Sequence, residues 1–310
     1  MIDISTREAS GRFLPKIGKK YNNFVVLDAD LSVSTMTNEF AKEYPNRSFN
    51  VGCAEQNLIG VSAGLAIGGK TVFASSYAMF IMRAWEQIRN TIAHDNLDVK
   101  LLATHSGLTN SADGSSHQCL EDIAIMRCIP NMYVFNPVDK IETEKIIESE
   151  LNRKGCSYIR LNRTPTPNMY DENYIFKLGE PDRLTDGTDV TIFATGTMVS
   201  IAMDACDTLD IDNIGSTIVN VSSIKPLNKD KIIKYVKETG HVITIEEHNI
   251  YGGMGSAIAE ILSENYPVPM KIMGVQDRFG ESGTYEYLLQ KLGLTSTEIV
   301  KNVKNILERK

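Results

Sequence analysis

Residues 51–80 read VGCAEQNLIGVSAGLAIGGKTVFASSYAMF, and the fold is worked outward from this stretch. Residues 54–67 are rich in Ala, Leu, Ile and Gly and hold no proline, which predicts a largely apolar helix closed by Gly68 and Gly69. The run 71–74 is β-branched and aromatic and too short for a helix, so it predicts a buried strand. A second helix is expected over 78–93. The same rhythm extends both ways, with strands over 24–29, 99–104, 132–135 and 156–161 and a helix over 142–151. Strands that alternate with helices imply a parallel sheet covered on its faces.

Periodicity stops after residue 164, where Pro165, Pro167, Gly179, Pro181 and Gly187 accumulate in a polar stretch. A second series follows, with strands expected near 190–194, 216–221, 242–245 and 270–275. Residues 295–307 place Ile299, Val300, Val303, Ile306 and Leu307 on one stripe of a closing amphipathic helix. The expected fold class is therefore α/β, with two consecutive domains over 1–164 and 188–310 joined by a linker over 165–187. Each domain is a mostly parallel sheet covered by helices.

The 310 residues suit two cores, since single cores rarely grow beyond about 250–300 residues. A net charge of −7 and the lack of a basic block argue against nucleic acid as a partner. No apolar run approaches the ~20 residues of a membrane span, and the N-terminal stretch has no signal-like apolar region. Five scattered cysteines without a CxxC pair fit a reducing compartment, so a cytoplasmic location is expected.

In sheets of this kind ligands gather beyond the carboxyl ends of the strands. Four segments there carry chemistry. Glu55 falls in the first turn of an apolar helix, where burial makes a carboxyl a useful proton carrier, although an acidic first turn equally complements the helix dipole. Tyr77 and Phe80 offer flat surfaces to a heteroaromatic ring or to the core, and Arg83 beside them needs an anionic partner if buried. The polar loop 105–118 holds His105, Asp113 and His117, a set better suited to the hydroxyls of a substrate than to a metal, since no fourth ligand lies nearby. Arg160 and Arg163 at a strand end are either a phosphate clamp or a solvated pair. The glycine-rich 251–256 departs from GxGxxG spacing and reads as close helix–strand packing.

The order of these segments resembles the transketolase family, above all split transketolases whose C-terminal half is a separate chain. The resemblance rests on nine collinear blocks: DADLSVS (28–34), VGCAEQN (51–57), YAMFIMRAWEQ (77–87), THSGLTNSADGSSHQ (104–118), NPVD (136–139), YIRLNR (158–163), FATGTMVSIA (193–202), EEHNIYGGMGSAIAE (246–260) and DRFGESGTYEYLLQKLGLT (277–295). It implies a thiamine-diphosphate-binding pyrimidine fold followed by a transketolase C-terminal domain. Activity would be transfer of a two-carbon ketol unit between sugar phosphates.

By the same resemblance Glu55 hydrogen-bonds N1′ of the cofactor aminopyrimidine and is catalytic, Phe80 stacks on that ring with Tyr77 nearby, and Asp30 and Leu31 lie near the thiazolium. Ser34, His105 and Arg163 correspond to positions that hold the substrate phosphate, with Arg160 and Arg83 as further substrate candidates. Asp113 and His117 correspond to positions that bind substrate hydroxyls, His117 also assisting proton transfer. The family's GDG motif and downstream Asn, which hold Mg²⁺ or Ca²⁺ and the diphosphate, do not occur here. A partner N-terminal subunit in an α2β2 assembly is therefore implied. Two departures stand out. Arg83 replaces the usual tyrosine and matches 1-deoxyxylulose-5-phosphate synthases, and NSADGSSHQ replaces GEDGPTHQ. His105 favours a transketolase over such a synthase. The β subunits of 2-oxoacid dehydrogenases share the Glu and aromatic blocks but lack DGxSHQ. A catalytically silent assembly subunit is the alternative outside enzymes.

Overall fold

Alternation along the strands decides which side of a sheet each residue covers. In β1 (Phe24–Asp28), Phe24 and Val26 join Leu14, Ile17, Phe40 and Ile146 on one side, while Val25 and Leu27 join Leu58, Ile59 and Ala63 on the other. Both sides are buried, as a parallel sheet with helices on two faces requires. The protein is described here by a computed structural model covering residues 3–308. After β1 come β2 (Ser48–Asn50), β3 (Thr71–Tyr77), β4 (Val99–Thr104), β5 (Tyr133–Phe135) and β6 (Ser157–Arg160). The second half adds β7 (Asp182–Arg183), β8 (Val190–Ala194), β9 (Ser216–Asn220), β10 (Ser223–Lys225), β11 (Val242–Asn249) and β12 (Met270–Val275).

The first sheet has the order β10-β5-β6-β4-β3-β1-β2 and the second β12-β11-β8-β9-β7. All pairings are parallel except β10 with β5 and β7 with β9. The longer helices are α1 (Thr6–Gly18), α2 (Glu55–Ile67), α3 (Asp122–Arg127), α4 (Lys140–Asn152), α5 (Met198–Ile211), α6 (Lys229–Thr239), α7 (Met254–Asn265), α8 (Tyr285–Leu292) and α9 (Ser296–Leu307). None is long and apolar enough to cross a membrane. Capping explains several boundaries: Ser5, Asp139, Asn228, Thr284 and Thr295 each accept a hydrogen bond from a first-turn N–H.

Three features differ from the sequence expectation. The helix expected over 78–93 is broken into Ala78–Ile81, a 3-10 turn Met82–Ala84, a short turn Trp85–Gln87 and a π-helical stretch Ile88–Ala93. The break lies beside Trp85, whose indole N–H donates to the Ile125 carbonyl at 2.8 Å. The stretch 165–187 contains β7. Strand β10, drawn from the second half of the chain, completes the edge of the first sheet. One apolar core accordingly runs from Leu101 and Val134 through Val219, Val221 and Ile224 to Met254 and Ile258.

The stretch 165–187 is held by carboxylates. Asp139 accepts from the backbone N–H groups of Met169 and Tyr170 at 2.8 and 2.9 Å. Glu142, fully buried, accepts from Val138 N at 2.8 Å, Tyr174 Oη at 3.1 Å and Asn220 Nδ2 at 3.0 Å. Burial pushes its carboxyl up to about 7, with Asp139 adding to the rise while hydrogen bonds from Ser222, Val138 and Asn220 oppose it. Because this value lies above that of the unfolded chain, the fold keeps a proton that the unfolded chain releases. The contribution is complete below about pH 4.5 and is lost as pH rises toward 7. Wild type should be less stable at pH 8 than at pH 5, by an amount on the order of 2 kcal/mol assignable to this group. Glu142→Gln should flatten that difference, since an amide does not titrate over this range. Urea unfolding at the two pH values measures it, and an unchanged difference in the variant would refute the assignment.

Candidate active site

The loop after β1 is shaped by Asp28. Its buried carboxylate accepts from Thr35 Oγ1 at 2.8 Å, Thr37 Oγ1 at 3.1 Å and the Leu31 N–H, which coils residues 29–37 tightly. Burial raises the Asp28 pKa while these hydrogen bonds oppose it. Asp30 sits at φ 66° and exchanges hydrogen bonds with Asn50: its N–H donates to Asn50 Oδ1 and its Oδ1 accepts from Asn50 Nδ2, both at 3.1 Å. Asn50 Oδ1 also accepts from Gly52 N at 2.9 Å, so one side chain ties Asp30 and Leu31 to the turn that enters α2. Glu55 opens α2 half-exposed, and Ala54 before it supplies no capping side chain.

Tyr77 ends β3 and Phe80 lies one turn beyond. Their rings stack at 5.2 Å between centroids and 8° between planes. The other face of the group meets two histidines: Tyr77 stacks on His105 at 3.7 Å, and Phe80 packs edge-on to His117 at 5.4 Å. Loop 105–118 bends through His105 at φ 56° and Gly114 at φ 80°, where glycine avoids the Cβ clash of a left-handed backbone. The His117 ring is fixed by Ser116 Oγ at 2.9 Å from Nδ1.

Cations gather at the other end. Arg7, from α1, donates through Nη1 to the Ser34 carbonyl at 2.9 Å and lies 3.5 Å from His105 Nε2. Arg163 donates to Asn110 Oδ1 at 3.1 Å and stands 3.7 Å from Asp113 Oδ2. Burial pushes the His105 ring down to about 3, aided by Arg7, Arg163 and His117, so it is a neutral hydrogen-bonding group. The Arg7 pKa is itself lowered, first by burial and then by Arg163.

Contacts thus join Ser34, Tyr77, Phe80, His105, Asp113, His117 and Arg163, through Arg7 and Asn110, into one cluster. Asp30 and Leu31 sit in the loop after β1, with Asp30 held by Asn50, and Glu55 opens α2. Arg83 lies exposed on the 3-10 turn, so the anionic partner that burial would have demanded is not needed. Arg160 is a correction. It is fully buried, with Nε donating to Asp122 Oδ2 at 2.9 Å and Nη2 to the carbonyls of Cys119 at 3.3 Å and Glu247 at 2.7 Å. Its donors are directed inward, away from any substrate phosphate. Arg7, Asn50 and Asn110 escaped the sequence reading, because nothing in the local pattern of STREAS, SFN or LTNS separates a site residue from an ordinary polar one. Among the described residues no three His, Cys, Asp or Glu side chains converge as a metal site needs.

Residues 3–168 match the model of the transketolase pyrimidine-binding domain, and residues 179–299 match that of the transketolase C-terminal domain. A Methanocaldococcus jannaschii protein named as a transketolase C-terminal section is 46% identical over 308 residues, covering 98% of this chain and 96% of its own. A 6-deoxy-6-sulfo-D-fructose transketolase subunit from a Clostridium species is 40% identical, covering 96% and 92%. A solved split-gene transketolase, described as an inactive β4 tetramer, superposes with a TM-score of 0.90 at 43% identity over 99% of both chains. The chain belongs to the transketolase family and consists of its pyrimidine-binding and C-terminal domains.

Two measurements check this geometry. In an NMR titration of the free chain the His105 ring should change state near pH 3, and Arg7→Gln should raise that midpoint; a wild-type midpoint near 6.5 would contradict the buried, arginine-flanked environment. Arg160→Ala strands the Asp122 carboxylate and should cost ~3–5 kcal/mol in denaturant unfolding. A cost below about 1 kcal/mol, the range of exposed ion pairs, would rule out the buried role.

Proposed function

We propose that this chain is the C-terminal subunit of a thiamine-diphosphate-dependent transketolase that moves a two-carbon ketol unit between sugar phosphates. A partner subunit carrying the GDG and Asn residues holds the diphosphate and its Mg²⁺ or Ca²⁺, in an α2β2 assembly. The observation that carries this reading is one cluster in which Arg7 and Arg163 flank a neutral histidine, Asp113 stands beside Arg163, and a stacked aromatic pair packs against both His105 and His117. The family membership supports it, as do relatives of the same length described as transketolase subunits.

The pyrimidine end of the cofactor fits the residues present. Phe80 is partly exposed and backed by Tyr77, and Glu55 stands at an open helix end beside the Asp30–Asn50 turn. When bound, thiamine diphosphate supplies an electron sink for the two-carbon unit. The chain's own residues do the rest. Glu55 would hold a proton at pyrimidine N1′, Phe80 would stack on the ring, and Asp30 and Leu31 would contact the thiazolium side. Arg7 and Arg163 clamp the phosphate dianion, while His105 and Ser34 add directional hydrogen bonds. Asp113 binds substrate hydroxyls, and His117 moves a proton at one of them. Arg83, exposed on its 3-10 turn, is a further substrate candidate in the assembled enzyme.

The test is reconstitution with the partner subunit. Glu55→Gln should lower turnover by about a hundredfold or more with the fold intact, the range of a lost acid–base group. Arg163→Ala should raise KM for phosphorylated sugars by about tenfold while sparing unphosphorylated ones. Full activity of this chain alone, or a Glu55→Gln enzyme near wild type, would overturn the proposal. Turnover of pyruvate with glyceraldehyde phosphate would instead mark a deoxyxylulose-phosphate synthase, and silence with every donor would mark an assembly subunit.

A further inference from the structure

We propose that Glu247, a carboxylate of the second domain, is a positioning residue for loop 105–118 and fixes where that loop sits against Arg163. The inference rests on the reading that this loop meets substrate.

Glu247 stands on β11 and is fully buried. Oε2 accepts from Thr197 Oγ1 at 2.6 Å and from Tyr285 Oη at 3.1 Å, donors at the starts of α5 and α8. Three elements of the second domain therefore hold the side chain, and its remaining oxygen, Oε1, accepts from the backbone N–H of Leu108 in the first domain. The loop is shaped to receive it. Gly107 lies at φ 63°, and a Cβ there would sit 2.7 Å from the Glu247 carboxylate. The Leu108 side chain and Leu120, at the far end of the loop, belong to the apolar core of the second domain.

From this anchor both arms of the loop are set. On one side Gly107 N donates to Cys119 O at 3.0 Å and closes the neck of the loop. On the other, Thr109 Oγ1 donates to Ser106 O at 2.6 Å and accepts from Arg163 N at 3.2 Å, which links the anchor to the phosphate-side arginine. His105 is three residues from Leu108. Asp113 and His117 hang from the same loop, whose tip is tied to the second domain by Gln118 Nε2 on Glu281 O at 2.9 Å and by Gly283 N on Ser111 O at 3.3 Å. The cation facing Glu247 is Arg160, itself neutralised by Asp122; the other polar groups facing the carboxylate are Thr197, Tyr285 and the Leu108 amide. Burial raises the Glu247 pKa and these partners oppose the rise. An amide can accept from Leu108 N in place of Oε1, so charge is secondary to reach.

Two substitutions separate reach from charge. Glu247→Asp keeps the charge beside Arg160 and withdraws the oxygen from Leu108; Glu247→Gln keeps the reach and removes the charge. Amide hydrogen exchange on the full chain should show 107–118 exchanging about tenfold faster in Glu247→Asp, with β3 and β4 still protected, and near wild type in Glu247→Gln. In the reconstituted enzyme Glu247→Asp should raise KM for phosphorylated sugars by about tenfold with kcat changed less than about threefold, and Glu247→Gln should restore it. Unchanged loop exchange in Glu247→Asp, or equal loss in both variants, would overturn the inference. A uniform fall in kcat at constant KM, the mark of a smaller active fraction, would do the same. If the wild-type complex transfers no ketol unit, the functional reading fails, and the exchange measurement alone decides the role of Glu247.

Discussion

The guanidinium of Arg160 sits where the two sheets come together, and the surrounding chain is arranged around keeping it paired. A buried cation is tolerated only when its donors and its charge are matched. Asp122 supplies the charge and also accepts from Tyr158 Oη at 2.8 Å, which fixes the first residue of α3. The carbonyls of Cys119 and Glu247 supply the remaining acceptors, one from each domain. Moving either sheet relative to the other would take the Glu247 carbonyl from a buried guanidinium donor. The loop over the cleft inherits this rigidity, because Cys119 closes its neck and Glu247 holds its inner turn.

The cleft itself shows the opposite electrostatic condition. Burial, and after it Arg7 and Arg163, lower the His105 pKa, and Asp113 stands half-exposed 3.7 Å from Arg163. Like charges held close by the fold leave an electrostatic cost that an incoming dianion relieves. The neutral state of His105 belongs to the same arrangement, since a third positive charge there would find no counter-ion. The interior thus holds Arg160 tightly paired, whereas Arg163 has only an exposed carboxylate 3.7 Å away.

The sequence made the βα rhythm plain wherever a strand was apolar on both faces, as in β1, β4 and β8, because such runs have few other readings. It was silent where long-range pairing decides the outcome. Nothing local marks residues 223–225 as a strand of the first sheet or 182–183 as a strand of the second, since both are too short to show a period. The helix expected over 78–93 kept its apolar spacing but not its regularity. For the site, the sequence singled out residues inside dense motifs such as TNSADGSSHQ. Arg7 was not, because it reaches the cleft from an ordinary polar helix only once α1 has packed on the sheet. Arg160 was placed on the correct strand end but its direction was misjudged, and direction depends on burial that a linear pattern does not carry.

The borrowed strand β10 bears on how this protein can change over evolutionary time. Ser223 and Lys225 pair with Phe135 and Val134, and Lys225 Nζ reaches the carbonyls of Arg127 and Ile129 at 2.8 and 2.5 Å. A cut between the domains would leave β5 with an open hydrogen-bonding edge and strip apolar cover from the first sheet. Recombination therefore cannot treat the halves as interchangeable modules. A gene fusion or exchange that supplied a foreign second domain would have to bring a matching strand with it, or the orphaned edge would recruit one from a neighbouring molecule.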